Sequence, residues 1–338
     1  MSRSATASPV ESFPPTRLPG HGRRWYRGDC HVHSVLSNGG ELSPAQLVAG
    51  ARAVSLDFLV TTEHNRADGH GSWAEHLGPD LLVVLGQEAT TPAGHWLALG
   101  VAPGQLVGWD YGVDDDAIGQ ELDGVREVGG ICVVAHPFAP YPTGTFSYPY
   151  SGFDAVEVWN GQWASDEPWQ ADNEAALAMW ADSLSDDVGR RRWRPAVGGS
   201  DTHLAGQIGV PHTVVLAHEL SSRAILGALG AGHSWIAGSQ HVDLAFTVTV
   251  AHEVAGIGQR LVAVAAGPTA RIQVRGVPAG TVSLLSDNGL VHRVSLPDSG
   301  AGLEVCDDAS LRSARFLRVE VRDHLGHMAA LTNPIPLA

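Results

Sequence analysis

Lysine is missing from this chain of 338 residues: all 21 basic residues are arginine, set against 36 acids for a formal charge of −15. So little positive charge argues against nucleic acid as a partner, because phosphate backbones are held by basic patches. A polyanionic substrate would have to be held by metal instead of a basic face. The arginine-only usage fits a GC-rich genome and carries no functional meaning. Cysteine is scarce too. Cys30, Cys132 and Cys306 are odd in number and far apart, which excludes a zinc-knuckle spacing and a disulfide framework. Each lies in an apolar run, where a free thiol behaves as a small buried hydrophobe, and the lack of disulfides points to the cytoplasm. No run approaches the ~20 apolar residues of a membrane span. The first 22 residues are rich in Ser, Pro and Thr and lack the apolar core of a signal peptide, so they read as a disordered tail.

Hydrophobic residues make up 44% of the chain, enough for one large α/β unit and a smaller one. Apolar runs of strand length end at Cys30-His31-Val32-His33, at Thr62-Glu63-His64, at Gln87-Glu88, at Ala135-His136 and at Gly199-Ser200-Asp201-Thr202-His203. Another run begins at His95, and Ala155–Trp159 ends at Asn160. Helical patterns fall between them: Pro44 to about Ala53, capped by Ser43, then Asp114–Val128 and residues 170–184, with a last one at 221–230. Strands alternating with helices over residues 23–238 predict a largely parallel sheet with its chemistry at the strand ends. From Ser239 the pattern changes to short alternating strands with turn signals such as Asp287-Asn288-Gly289, predicting a small antiparallel β-module over 239–338.

Along a strand, positions i and i+2 share a face, so His31 and His33 aim at one point. Cys30 between them falls on the opposite face by the same alternation. Collected at strand ends are His31, His33, His64, Glu88, His95, His136, Asp201 and His203, all of metal-ligand type. Imidazole suits zinc, iron or manganese, and a carboxylate can bridge two cations. Several strand ends supplying such residues predict a multinuclear metal site. His70 and His76, in a polar loop, are expected at the surface, and His212 and His233 in ordinary hydrogen bonds. The histidines beyond residue 239 are expected in surface or turn roles.

The ordered motifs Gly28-Asp29-Cys30-His31-Val32-His33-Ser34, Thr62-Glu63-His64-Asn65, Gly86-Gln87-Glu88, Gly94-His95, Ala135-His136-Pro137 and Gly199-Ser200-Asp201-Thr202-His203 resemble those of the PHP (polymerase and histidinol phosphatase) superfamily. The lead-in Arg24-Trp25-Tyr26-Arg27 and the ending Leu331-Thr332-Asn333-Pro334 are most similar to its CehA/McbA branch, which is named for carbaryl hydrolases. The resemblance implies a distorted (β/α)7 barrel, here followed by a β-sandwich-like module, with two or three divalent ions (Zn, Mn or Fe). It implies that His31, His33, Glu88 and Asp201 hold a first metal, that Glu88 bridges to a second held by His95 and His136, and that His64 and His203 hold a third. The family pattern S-D-G is Ser37-Asn38-Gly39 here, so Asn38 offers that third position a neutral, weaker ligand. Glu63, in place of the family's commoner Asp, is expected to orient an imidazole.

The resemblance and the residues together predict a hydrolase acting through a metal-bridging hydroxide, foremost a phosphoesterase for a small phosphate ester (EC 3.1). Glu88, His64, His203 and Arg66 are the catalytic candidates: His64 or His203 to protonate the leaving oxygen, Arg66 to pin a phosphate oxygen. The alternative is a carbamate or carboxylic ester hydrolase. Phe138, Tyr141, Phe146, Tyr148 and Tyr150, with Trp159 and Trp163, would then either line the mouth of the site or pack a long loop onto the sheet. A lesser alternative is a metal-stabilised binding protein without turnover. A small-molecule substrate is the expected partner, with no nucleic acid or membrane, and self-association is left open.

Overall fold

A computed structural model describes residues 22–337, apart from 77, 114, 166, 168–169, 190–192, 263–266, 298–300 and 307–308. Nearly all of the expected tail lies outside the described residues, as do Asp114 and the side chain of Cys306. In chain order the first half holds β1 (Arg24–Val32), α1 (Pro44–Ala53), β2 (Phe58–Thr61), β3 (Leu82–Thr91), β4 (Gly94–Leu99), α2 (Ala117–Glu127), β5 (Ile131–Val134) and β6 (Ala155–Asn160). Then come α3 (Asn173–Gly189), β7 (Ala196–Gly199), β8 (His212–Ala217), α4 (Ser222–Gly230) and β9 (Ser234–Ala237). The C-terminal strands are β10 (Asp243–Val250), β11 (Glu253–Gly256), β12 (Thr269–Arg275), β13 (Gly280–Ser286), β14 (Gly289–Leu296), β15 (Ala301–Cys306), β16 (Phe316–Asp323), β17 (Met328–Thr332) and β18 (Ile335–Pro336), with the short α5 (Ala309–Arg312) before β16. No helix is long and apolar enough to cross a membrane among the described residues.

Local chemistry explains the helix ends. Ser43 and Gln46 cap each other's backbone N–H groups at the start of α1, and Pro44 fits the first turn, whose N–H has no partner to lose. α2 begins later than the sequence implies, with Asp115 accepting from the Ala117 N–H at 3.1 Å.

One 14-stranded sheet runs β14-β13-β16-β17-β9-β8-β1-β2-β3-β4-β5-β6-β7, with β18 beside β16. Past β7 it returns to β1, where Val32 and Thr202 form a parallel bridge and the His33 N–H donates to Thr202 O. Alternate residues of β1 to β8, from Tyr26, Phe58, Leu82 and Leu97 to Val133, Ala155, Val197 and Val215, meet in one cluster closed by Ile225 and Leu229 of α4. Only a sheet curled on itself lets eight strands share one interior.

The sheet is less parallel than expected. β1-β2-β3 and β5-β6-β7 are parallel, but β3-β4-β5 and β1-β8-β9 are antiparallel. The β3–β4 link is a tight hairpin, too short for the crossover that parallel pairing needs. β3 therefore runs on past Glu88 to Thr91, and Glu88 lies inside the strand instead of at its end. Alternation also breaks in β1, whose register with β2 shifts between Asp29 and Val32. Cys30 consequently packs in the inner cluster while Val32 packs outward with α1. The thiol is buried as expected, but the opposite-face argument fails at this bulge.

β11-β10-β12-β15 form a second, antiparallel sheet. Leu244, Phe246 and Ile272 from it share a core with Leu284, Leu317 and Val319 of the large sheet. Strands on both sides of Ser239 share the large sheet, since β17 pairs with β9.

Candidate metal centre

Eight of the nine predicted ligands converge. His31, inside β1, and His33, just past it, have ring centroids 5.0 Å apart. A parallel bridge sets His64, after β2, beside Glu88 of β3. In the β3–β4 hairpin Glu88 pairs with Leu97 and Thr90 with His95, so Glu88 and His95 are diagonal neighbours on one face. Glu88 is the hub: Oε1 lies 2.9 Å from His95 Nδ1 and 3.0 Å from His136 Nε2. Its Oε2 lies 2.8 Å from His64 Nε2, 3.3 Å from His33 Nε2 and 3.4 Å from His31 Nε2. Asp201 Oδ1 stands 3.0 Å from His33 Nε2 and 3.4 Å from His31 Nε2, with His203 Nδ1 at 3.5 Å. Asn38 is exposed on the adjoining turn; the polar group that reaches inward there is its neighbour Ser37, whose hydroxyl receives the His64 N–H at 2.8 Å.

Partners outside the cluster fix its ring orientations. Glu157, in the middle of β6 and fully buried, was not singled out from sequence. Its Oε1 accepts from His31 Nδ1 at 3.0 Å, and its Oε2 accepts from the His136 N–H at 2.9 Å and from Asn160 Nδ2 at 3.1 Å. With Nδ1 donating to Glu157, His31 turns Nε2 toward the centre. Buried Asp29 accepts from the Ser200, Gly209 and His31 N–H groups, tying the Asp201 loop to β1. Glu63 does not touch an imidazole. It accepts from the Ser34 hydroxyl and N–H at 2.5 and 3.1 Å and so holds the turn after His33. His70 is buried rather than exposed, with Nδ1 accepting the Gly104 N–H, and His76 is half-buried.

Strain and charge concentrate here. Asn65, His136 and Asp201 have φ of +49°, +22° and +50°, in the left-handed region that side-chain-bearing residues avoid. Burial alone would push the His33 imidazole down, but the Asp201 and Glu88 carboxylates beside it lift it to about 9. His31 is likewise held well above its usual value by Asp201, Glu157 and Glu88 against burial. Burial would raise the Glu88 and Asp201 carboxyls, yet the surrounding imidazoles hold both well below the carboxylate range.

The donor set fits divalent cations. Among the described residues, eight buried side-chain polar atoms lack a hydrogen-bond partner, and five belong to this cluster: His31 Nε2, His33 Nε2, Glu88 Oε2, His136 Nδ1 and Asp201 Oδ1. Unpaired buried polar atoms cost folding energy unless something else satisfies them. Three overlapping groups have ligand atoms close enough to share an ion: His31/His33/Asp201, His31/Glu88/His136 and His33/His64/His203.

The centre opens on one side. The side chains of His64, His203 and Asp201 are 23%, 27% and 23% exposed, against 1% for Glu88 and 3% for His136. Beside His64 lies a cleft of about 640 Å³, walled by Arg66, Ala67, Gly104 and Leu106. Arg66 is not a free anion clamp here: Nε and one terminal nitrogen fork onto Asp68 at 2.7 and 2.8 Å, and the other donates to Leu36 O. Most of the aromatic residues that sequence offered as a mouth are core. Phe146, Tyr148, Trp159 and Trp163 are buried in one cluster with Tyr150 against it. Tyr141 alone among them contacts the site, its ring 5.8 Å from His95 and 6.3 Å from His136.

Comparison with known proteins adds three findings. A family model described as PHP-associated matches residues 183–234. No curated protein matches the chain. Among solved structures, a two-domain protein from Bacteroides vulgatus, described as containing a predicted PHP-like metal-dependent phosphoesterase, superposes with a TM-score of 0.52. It is 16% identical, over 95% of this chain and 96% of that one, and the likeness shows a shared fold. Two others superpose more loosely. One, from Bifidobacterium adolescentis and assigned as a metal-dependent phosphoesterase, has a TM-score of 0.40 and 19% identity over 62% of this chain and 97% of that one. The lesion-specific endonuclease EndoQ of Pyrococcus furiosus has a TM-score of 0.42 and 13% identity over 69% and 64%.

Proposed function

We propose that this chain is a metal-dependent hydrolase of the PHP superfamily that cleaves a small phosphate ester. The observation that carries the reading is the convergence of four buried, unpartnered ligand atoms, His31 Nε2, His33 Nε2, Glu88 Oε2 and Asp201 Oδ1, on one point. The PHP-associated match and the shared fold support it. On this reading the curled sheet is the distorted (β/α)7 barrel, the strands after Ser239 form a sandwich-like module, and the likeness to the CehA/McbA branch is one of sequence motifs alone.

His31, His33, Glu88 and Asp201 would hold one cation, Glu88 with His95 and His136 a second, and His64 with His203 a third. Divalent ions there lower the pKa of bound water from ~15.7 toward ~7 and neutralise charge developing on a phosphoryl group. The chain's own residues do the rest. Glu157 keeps His31 in the tautomer whose Nε2 faces inward. His203, whose Nδ1 donates to Asp201 O at 2.8 Å, and His64 stand at the open side, where a leaving oxygen must exit, and whichever of the two holds no cation can hand it a proton. Arg66, steered by Asp68, borders the cleft that the leaving group would occupy.

The test is a substrate panel on protein loaded with Mn²⁺ or Zn²⁺: p-nitrophenyl phosphate, bis-p-nitrophenyl phosphate and 1-naphthyl methylcarbamate. Release of nitrophenol that depends on the metal is the expected outcome. Naphthol release without phosphoester cleavage would move the assignment to carbonyl hydrolysis, and metal binding without any turnover would leave a binding protein.

A further inference from the structure

We propose that Tyr141 is a substrate-binding residue of this centre, its hydroxyl donating a hydrogen bond to the anionic oxygen of the group under attack. This rests on the hydrolase reading above and extends it to a residue beside His95 and His136.

The loop after β5 is built to hold this ring in place. The Phe146 N–H donates to Pro137 O at 3.0 Å, Phe138 and Thr145 form an antiparallel bridge, and the Gly144 N–H closes the tip onto Tyr141 O at 2.9 Å. Phe146 anchors the loop in the core, where a side chain at Gly94 (φ +121°) would come within 2.6 Å of its Cα. At Gly144 a Cβ would lie 2.4 Å from the Tyr141 ring. Only a residue without a side chain lets the ring sit as it does, over His95 and His136.

The hydroxyl is then a donor without a task inside the protein. The buried tyrosines use theirs: Tyr26 donates to Gly22 O, Tyr111 receives the Trp96 indole N–H, and Tyr148 donates to Tyr111 O. Tyr141 is half-buried and its hydroxyl makes no hydrogen bond among the described residues. A substrate entering from the His64 side directs its leaving group back into the open cleft. Its remaining oxygens then face His95 and His136, beside which Tyr141 stands. A fixed neutral donor aimed at an oxygen that gathers negative charge is a standard source of rate.

The experiment compares the metal-loaded parent with Tyr141→Phe and Gly144→Ala. It reads metal content, binding of inorganic phosphate by calorimetry, and turnover of p-nitrophenyl phosphate. In Tyr141→Phe, metal per chain should be unchanged, phosphate should bind about tenfold more weakly, and kcat should fall roughly 10²-fold with a smaller change in KM. Gly144→Ala, which displaces the ring, should shift both readouts the same way. Phosphate affinity and kcat within twofold of the parent in Tyr141→Phe overturn the proposal, and so does loss of metal from that variant, which would make the ring a support for its neighbours. If the parent binds phosphate yet cleaves no phosphoester, the phosphoesterase reading falls alone and the phosphate affinity of Tyr141→Phe decides this one.

Discussion

At the scale of single residues, the candidate ligands were legible because their chemistry is unusual where they occur. Histidine and acid at the ends of apolar runs have few reasons to be there, and His31, His33, His64, Glu88, His95, His136, Asp201 and His203 all reach one centre. Glu157 was missed although a signal existed. An acid inside Ala155-Val156-Glu157-Val158-Trp159 must be buried, and a buried carboxylate needs partners. Alternation alone could not say that those partners would be His31 and the His136 backbone. The two acids should separate in experiment. Glu88→Ala, which removes the group reaching five imidazoles, should abolish metal retention measured by elemental analysis after gel filtration. Glu157→Gln keeps size but gives up the charge facing His31 and turns one of the two accepting oxygens into a donor, against either His31 Nδ1 or the His136 N–H and the Asn160 amide, and should weaken metal affinity about 10- to 100-fold in chelator competition without unfolding the protein. Equal affinity in Glu157→Gln and parent would remove Glu157 from the account.

At the scale of elements, the capped helix α1 and most strands fall where propensity and periodicity put them. The errors arose where pairing partners decide geometry. Nothing within Leu82–Thr91 announces that it continues as a hairpin with β4; that depends on the turn beyond it and on β5. The bulge in β1 likewise arises from its pairing with β2, and it sends Cys30 and Val32 to different clusters against the simple period. Close approach of β7 to β1 is a further pairing effect and it bears on the site. A Cβ at Gly199 would lie 2.5 Å from the His31 Cβ and 2.9 Å from Glu157 Oε1. Gly199→Ala must therefore push β1 and β7 apart just where His31 is aimed. Overpacking of this kind costs roughly 1–3 kcal/mol, so the variant should unfold at lower urea and bind metal less tightly. A variant as stable as the parent, with unchanged metal affinity, would show that the two strands adjust freely.

At the scale of the molecule, a few polar side chains tie the large sheet's early strands to the C-terminal segment. Asn333 bonds the backbone of Ala196 in β7 and of Ser234 in β9. Arg27 of β1 donates to His212 Nε2 of β8 at 2.9 Å and to Val242 O, just before β10, also at 2.9 Å, with its guanidinium over the Trp235 ring. His212 Nδ1 donates to Gly209 O, so its Nε2 must stay unprotonated to accept from Arg27. Burial, and the guanidinium beside it, lower this imidazole to about 4. Above pH ~6.5 His212 is neutral in both folded and unfolded chains and contributes no pH dependence. As pH falls from there, the unfolded chain takes up a proton that the folded chain refuses, so stability drops until the folded pKa near 4 is reached. At about 1.36 kcal/mol per pH unit the loss amounts to roughly 3 kcal/mol. The other titratable groups of the chain are the same in a variant that changes only this joint. His212→Gln keeps an acceptor for Arg27 and cannot take up the proton. Urea unfolding of both proteins from pH 7 to 4 should show the parent losing about 3 kcal/mol more than the variant. Parallel losses would mean that Arg27 and His212 part before the imidazole charges, and that the joint between the early strands and the C-terminal segment is held elsewhere.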